Sequence, residues 1–141
     1  MTIHRGIRIA AALVALPQFV TGVWAVVSPR TWYDDFPGVG PQLVSAIPPY
    51  NAHLATDAGA GLLATALIVM VAAWWGNLAA LRIALFGFLV FDGLHGFFHV
   101  MNPSPHLSSG ENLYSSGVLV VEFVLAFILL VFAARTAADD R

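Results

Sequence analysis

The 141-residue sequence contains no cysteine and no lysine, and it has few charged residues of any kind. Without cysteine the chain has no disulfide, no thiolate metal ligand and no cysteine nucleophile. Its six basic residues are all arginines and form no basic stripe, so we expect no nucleic-acid partner. Only 10% of the residues are charged, against roughly 25% in an average soluble domain. That leaves too little polar surface to cover a globule in water, and the lipid bilayer is the expected solvent.

Long apolar runs are abundant instead, with 59% hydrophobic residues and a mean hydropathy of +0.80. A membrane-spanning helix needs about 20 apolar residues. Breaks separate four runs of about that length, at about 7–28, 53–75, 78–101 and 114–134, and prolines lie in the breaks after the first and the third run. The first run also resembles a signal peptide, but it is long and lacks a cleavage site, so a retained helix is expected. The sequence therefore predicts one transmembrane domain over residues 1–141, an all-α, up-and-down four-helix bundle.

The distribution of arginines predicts the orientation of the bundle. Five arginines lie next to the ends of the spans on one side, namely Arg5, Arg8, Arg82, Arg135 and Arg141. Only Arg30 lies in a loop on the other side. By the positive-inside rule both termini are cytoplasmic. Because arginine replaces lysine throughout in an alanine- and glycine-rich chain, we expect a bacterial cytoplasmic membrane.

The outer loop at 29–52 is long for so small a bundle and is rich in proline. It carries the aromatic residues Trp32, Tyr33 and Phe36. Two interpretations fit this pattern: a loop anchored by its aromatics at the membrane interface, or a lid lying on the mouth of the bundle.

The first and third spans resemble one another. They read IRIAAALVALPQFVTGVWAVVSP and LRIALFGFLVFDGLHGFFHVMNP, and a gapless alignment matches Arg8 with Arg82 and Gly22 with Gly96. The second and fourth spans align more weakly. The pattern indicates a parallel 2+2 internal repeat about an axis along the membrane normal. Chance similarity between apolar helices is the alternative.

Ionisable side chains interrupt three of the four apolar runs. Each costs roughly 2.5–3.5 kcal/mol to insert, so such groups usually face the bundle interior. Counting about 1.5 Å per residue, all of them apart from Arg82 at the inner boundary lie in the outer half of the membrane: His53 and Asp57 in the second span, Asp92, His95 and His99 in the third, and Glu122 in the fourth. We therefore expect them to form one site near the outer face.

The spacing Asp92-x-x-His95 is similar to that of metal sites in helical bundles. Nitrogen and oxygen donors without sulfur suit zinc, iron, manganese or copper. The metal hypothesis has five ligands, His53, Asp92, His95, His99 and Glu122, and three residues that orient them or contact a bound molecule, Asp57, Gln18 and Asn51. Such a centre would have a redox or other enzymatic role.

Several other functions remain open for the same residues. The site could bind a small polar or amphiphilic ligand without metal, or its carboxyls could be neutral members of a hydrogen-bonded network that only holds the helices together. A small-solute or proton-coupled transporter and a structural or accessory subunit are further alternatives. The scarcity of polar residues in the inner half argues against a continuous transport path. The sequence does not determine the oligomeric state.

Three short segments carry a resemblance to known sequences. They read RTWYDDFPG at 30–38, PYNAHLATDAG at 49–59 and GLHGFFHVMNP at 93–103. In these segments and in its helix count the chain resembles small uncharacterised four-helix membrane proteins of actinobacteria, which are loosely DoxX-like. For that group the resemblance implies quinone or thiol redox chemistry, but a chain without cysteine does not fit a thiol role.

Overall fold

A computed structural model describes residues 4–135, and Arg141 lies outside this range. The described residues form five helices: α1 (Arg5–Val27), α2 (Pro29–Asp35), α3 (Ala52–Trp75), α4 (Leu78–Met101) and α5 (Ser109–Arg135). All except α2 are long and apolar enough to cross a membrane. The all-α membrane bundle predicted from the sequence is confirmed. The last helix begins at Ser109, before the predicted start at 114.

Polar side chains fix where the long helices begin. Asn51 and Asn77 each accept a hydrogen bond from the backbone N–H three residues later, which is a typical N-cap. Before α5, Ser108 and Glu111 hydrogen-bond reciprocally to one another's backbone N–H as a capping box. Gly76 ends α3 in the left-handed conformation, with φ of +67°, which a residue with a Cβ rarely adopts. The two central helices are thereby joined by a very short turn.

The four long helices form a closed ring in which α1 packs on α3, α3 on α4, α4 on α5 and α5 on α1. The closest approach is between α1 and α3. A Cβ added at Gly22 would lie 2.5 Å from the backbone nitrogen of Leu63, and one added at Gly59 would lie 2.6 Å from the Cβ of Ala25. Small residues let membrane helices approach this closely, so this contact fixes which face of α3 points inward.

The half of the bundle farther from residues 29–51, called the inner half below, is solid and apolar. Its fully buried large side chains include Val69, Leu81, Leu85 and Phe88, and alanines from all four helices fill the spaces between them. This close packing is the main source of stability available to helices already surrounded by lipid.

Arginines tie the inner ends of the helices together. Arg8 of α1 donates to the carbonyl oxygens of Ala73 and Trp74 at the end of α3, at 2.7 and 2.6 Å. Arg82 of α4 binds the last carbonyls of α5 in the same way, at 2.5–3.1 Å. Both cations satisfy orphan carbonyls at a helix C-terminus. The two positions are those matched in the sequence alignment, so α1 and α4 share this kind of contact.

The segment between α1 and α3 lies over the outer end of the bundle. This lid segment, residues 29–51, consists of α2 and a loop. Trp32 and Tyr33 are buried in a cluster with Ala25 and Ala55 of the bundle. On the opposite side, the hydroxyl of Ser104 donates to the carbonyl of Ala46 at 2.5 Å. The segment is therefore held at both ends and covers the bundle mouth, as the lid interpretation expects.

Candidate functional site

A cavity of about 410 Å³ separates the lid segment from the packed inner half. All four long helices and the lid segment contribute to its lining, which is mostly apolar. Aromatic side chains form part of the walls, namely Trp32, Tyr33, Phe36 and Tyr114. The polar side chains in the lining are few: Gln18, Thr21, Asn51, His95, His99, Ser115 and Glu122.

A buried polar group of three side chains lies at the floor of the cavity, which Gln18 itself lines. The amide nitrogen of Gln18 donates to one carboxylate oxygen of Asp92 at 3.1 Å. The hydroxyl of Thr65 lies 3.2 Å from the amide oxygen of Gln18, and the carbonyl oxygen of Gly61, at 2.9 Å, is a closer acceptor for its proton. Asp92 is only 1% exposed, and its second oxygen has no hydrogen-bond partner in the structure. Gln18 and Asp92, two members of the predicted site, are thus in direct contact between α1 and α4.

Two stacked imidazoles lie on the α4 side of the cavity. The rings of His95 and His99 are 4.9 Å apart and nearly parallel, at 16°. Both residues line the cavity and are half-buried. Phe91 and Phe98 contact the same rings at 5.8 and 5.9 Å. The imidazoles are thus held between aromatic neighbours with access to the cavity.

Glu122 faces the histidines and the floor from α5. It lines the cavity and lies within electrostatic range of Asp92. One of its carboxylate oxygens is buried without a hydrogen-bond partner. The indole N–H of Trp32, another lining residue, is also buried and unpaired. Buried polar atoms are normally hydrogen-bonded, so these two atoms, unpaired among the described residues, are exceptions in side chains that border the cavity.

His53 and Asp57 do not belong to this cluster. Their side chains are 83% and 62% exposed and pair only with one another, with 3.4 Å between His53 Nε2 and Asp57 Oδ2. The cavity is lined instead by other α3 positions, among them Ala55 and Ala58. Asn51 does line the cavity, although its side-chain oxygen is engaged as the N-cap of α3.

The structure therefore brings together Gln18, Asp92, His95, His99 and Glu122, and it separates them from His53 and Asp57. Among residues 4–135 there is no group of three or more histidine, aspartate or glutamate side chains arranged to hold a metal ion. The metal centre and its ligand set stay predictions that the geometry does not support.

Two parts of the site are not found by counting ionisable residues. Thr65 belongs to the floor because it lies on the same α3 face as the buried Leu62, Ala66 and Val69, a signal that is readable from the spacing of small and apolar residues. Tyr114 and Ser115 line the cavity from a part of α5 that the sequence assigned to the start of the span.

No protein-family model matches the chain, and comparisons with curated proteins and with solved structures gave no match. The resemblance to DoxX-like proteins therefore stays a prediction, and the function is argued from the site itself.

Proposed function

We propose that the protein binds a small amphiphilic molecule in the outer half of the membrane. The observation that carries the proposal is the lidded cavity, which has apolar and aromatic walls and a polar floor. Its volume of about 410 Å³ lies within the range of roughly 300–1,000 Å³ that small-molecule sites occupy. An apolar lining with a few convergent polar groups is the usual composition of such sites.

The distribution of polar groups sets the orientation of the ligand. Its polar head lies against Gln18, Glu122 and the two histidines, and its apolar part lies against the aromatic residues of the lid segment.

Binding is favoured over transport by what lies beneath the floor. Within residues 4–135, the core below Gln18 and Asp92 consists of packed apolar side chains such as Leu85 and Phe88. A solute crossing the membrane would have to pass through this region. Redox or other chemistry on the bound molecule, with or without a transition metal, remains a narrower version of the same proposal.

We also propose that the lid faces outward, with both termini in the cytoplasm of a bacterium. The support is the position of Arg8 and Arg82 at the end of the bundle opposite the lid segment. Loops and helix ends rich in arginine normally stay on the cytoplasmic side.

Occupancy of the cavity can be tested with 1-decanol as a neutral amphiphilic probe. Trp32 lines the cavity, whereas Trp74 and Trp75 lie at the far end of α3, 81% and 72% exposed. Replacing Trp74 and Trp75 by Phe leaves Trp24 and Trp32 as reporters. We expect a saturable change in their fluorescence and a higher melting temperature on addition of the probe.

A pair of neighbouring substitutions provides the control. Ala58 lines the cavity, and Ala60, two residues on, is exposed on the other face of α3. Ala58→Phe should fill the cavity and abolish the saturable response, whereas Ala60→Phe should leave it unchanged. A response that is absent in the parent protein, or equal in both variants, would show that the cavity is not a binding site.

A further inference from the structure

The formal charges around the cavity are of one sign. Glu122 lines it, and Asp92 lies directly behind Gln18 in the floor. Among the described residues that line the cavity there is no arginine, and the chain has no lysine. Arg8 and Arg82 are bound to helix ends on the opposite side of the membrane. An anionic head group in this cavity would meet two carboxyls and no cationic side chain.

Arg30, the arginine of the lid segment, does not change this balance. Its guanidinium is exposed and forms an ion pair with Asp34 at 2.6 Å. The hydrogen bond and the charge of Asp34 raise the pKa of Arg30 above its ordinary value. The guanidinium also lies 4.9 Å from the ring centre of Tyr50. Arg30 is therefore fully engaged on the lid segment and is not among the residues that line the cavity.

The aromatic walls add an attraction for positive charge. Trp32, Tyr33, Phe36 and Tyr114 all line the cavity. The face of an aromatic ring attracts a cation, and the attraction is stronger where water is excluded. Ring faces offer no comparable attraction to a carboxylate or a phosphate.

The carboxyls of the site still have hydrogen-bonding capacity. One oxygen of Asp92 and one of Glu122 are buried without a partner. An ammonium group supplies up to three donors and no acceptor, so it suits the acceptors that line the cavity, namely the carboxyl of Glu122 and the imidazoles of His95 and His99. A carboxylate ligand supplies only acceptors and brings a negative charge next to these carboxyls in a region of low dielectric constant.

We infer that the cavity selects amphiphiles with a cationic nitrogen head group that carries N–H donors, such as protonated hydrophobic amines. The inference rests on the proposed binding function and specifies its ligand class. Glu122 supplies the charge that recognises the head group, the floor amide of Gln18 and the two histidines surround it, and the lid aromatics cover the hydrocarbon part.

Three probes with the same chain and different heads test this inference: decylamine, 1-decanol and decanoate. Affinities are measured at pH 7 through the fluorescence of Trp24 and Trp32 in the protein with Phe at positions 74 and 75. The same titration of its Ala58→Phe variant is subtracted, which removes the contribution of probe that only partitions into detergent. A charge-assisted hydrogen bond in a buried site is worth about tenfold in affinity or more. We therefore expect decylamine to bind at least about tenfold more tightly than 1-decanol, and decanoate to bind more weakly than either.

The substitution Glu122→Gln locates the selectivity. It keeps the shape of the side chain and removes its charge, so the ratio of the decylamine affinity to the 1-decanol affinity should fall about tenfold, whatever the change in either affinity alone. Glu111→Gln is the matched control, since Glu111 is a carboxyl of the same helix that binds Ser108 outside the cavity. It should keep the full preference.

The outcomes separate the two proposals. Binding of 1-decanol with no preference for the amine, or with decanoate bound most tightly, overturns the cationic inference and leaves the binding function intact. Absence of saturable binding for all three probes overturns the binding function. If the Glu122→Gln protein folds and retains the preference for the amine, Glu122 is not the residue that recognises the head group. If that variant does not fold, the comparison of probes on the unmodified chain still decides the inference.

Discussion

The inner and outer halves of this bundle are built from the same four helices but differ in almost every other respect. The inner half is packed with Leu85, Phe88 and many alanines, and its helix ends are joined by Arg8 and Arg82. The outer half contains the cavity, the polar cluster and buried polar atoms without partners.

The contrast teaches where stability and function reside. Buried unpaired polar atoms and an empty volume both cost stability, and each is concentrated in the outer half. The inner half has neither among the described residues and holds the helices in register. A protein can retain a costly binding site when another part of the same fold supplies the stability.

The largest expected effect is the difference in stability loss between a substitution in the packed core and one on the lipid-facing surface. Phe88→Ala should destabilise the bundle by about 3–5 kcal/mol, because Phe88 is 1% exposed and the helices cannot close the gap. Phe86→Ala, two residues earlier and 62% exposed, should change stability by less than about 0.5 kcal/mol. The free energy of unfolding in bicelles measures both.

A third variant extends the same comparison into the outer half. Leu119 borders the cavity, so Leu119→Ala enlarges a space that already exists and should cost about 1 kcal/mol. Equal losses for Phe88→Ala and Leu119→Ala would contradict the division into a stable inner half and a hollow outer half.

An intermediate effect is expected at the inner helix ends. Arg8→Met and Arg82→Met each remove charged hydrogen bonds to the last carbonyls of a neighbouring helix, and each should cost about 1–2 kcal/mol at these partly exposed sites. Arg5→Met, at an exposed position with no such contact, is the control. Similar losses at both positions would support the 2+2 repeat, and a loss at only one would argue against it.

The smallest expected effect lies in the lid segment. Ser104→Ala removes the hydrogen bond to the carbonyl of Ala46 and should lower global stability by less than about 1 kcal/mol. Backbone amides of 36–51 should nevertheless exchange with deuterium several-fold faster. Ser116→Ala, whose hydroxyl binds only its own helix, should leave this exchange unchanged. Unaltered exchange in Ser104→Ala would show that the lid is held by its aromatic contacts alone.

The helices and their ends were predictable because they depend on local signals. Four apolar runs, the Asn51 and Asn77 caps and the glycine at 76 are all visible in the sequence. The early start of α5 was missed, since Ser108 and Glu111 form a capping box ahead of the apolar run.

The site was predictable only in part, because the spacing of residues shows which of them share a face of a helix but not which face points into the bundle. His53 and Asp57 share a face, as the spacing predicts, but that face points away from the cavity. The rotation of α3 is set by Gly59, whose contact with Ala25 leaves no room for a side chain. The insertion cost predicts that an ionisable group faces the bundle interior. A residue near a helix end, such as His53 or Asp57, can avoid this cost by reaching the headgroup region instead.

The arginine contacts also limit how the cavity can admit a ligand. Arg8 joins the inner end of α1 to that of α3, Arg82 joins those of α4 and α5, and the short turn at 76–77 connects the two pairs at the same end, so a separation of the two pairs would pivot there. A rotation of about 5° about such a pivot moves the far end of a helix of roughly 36 Å by about 3 Å. The bundle can therefore widen by several ångströms at its outer rim while the membrane stays sealed below.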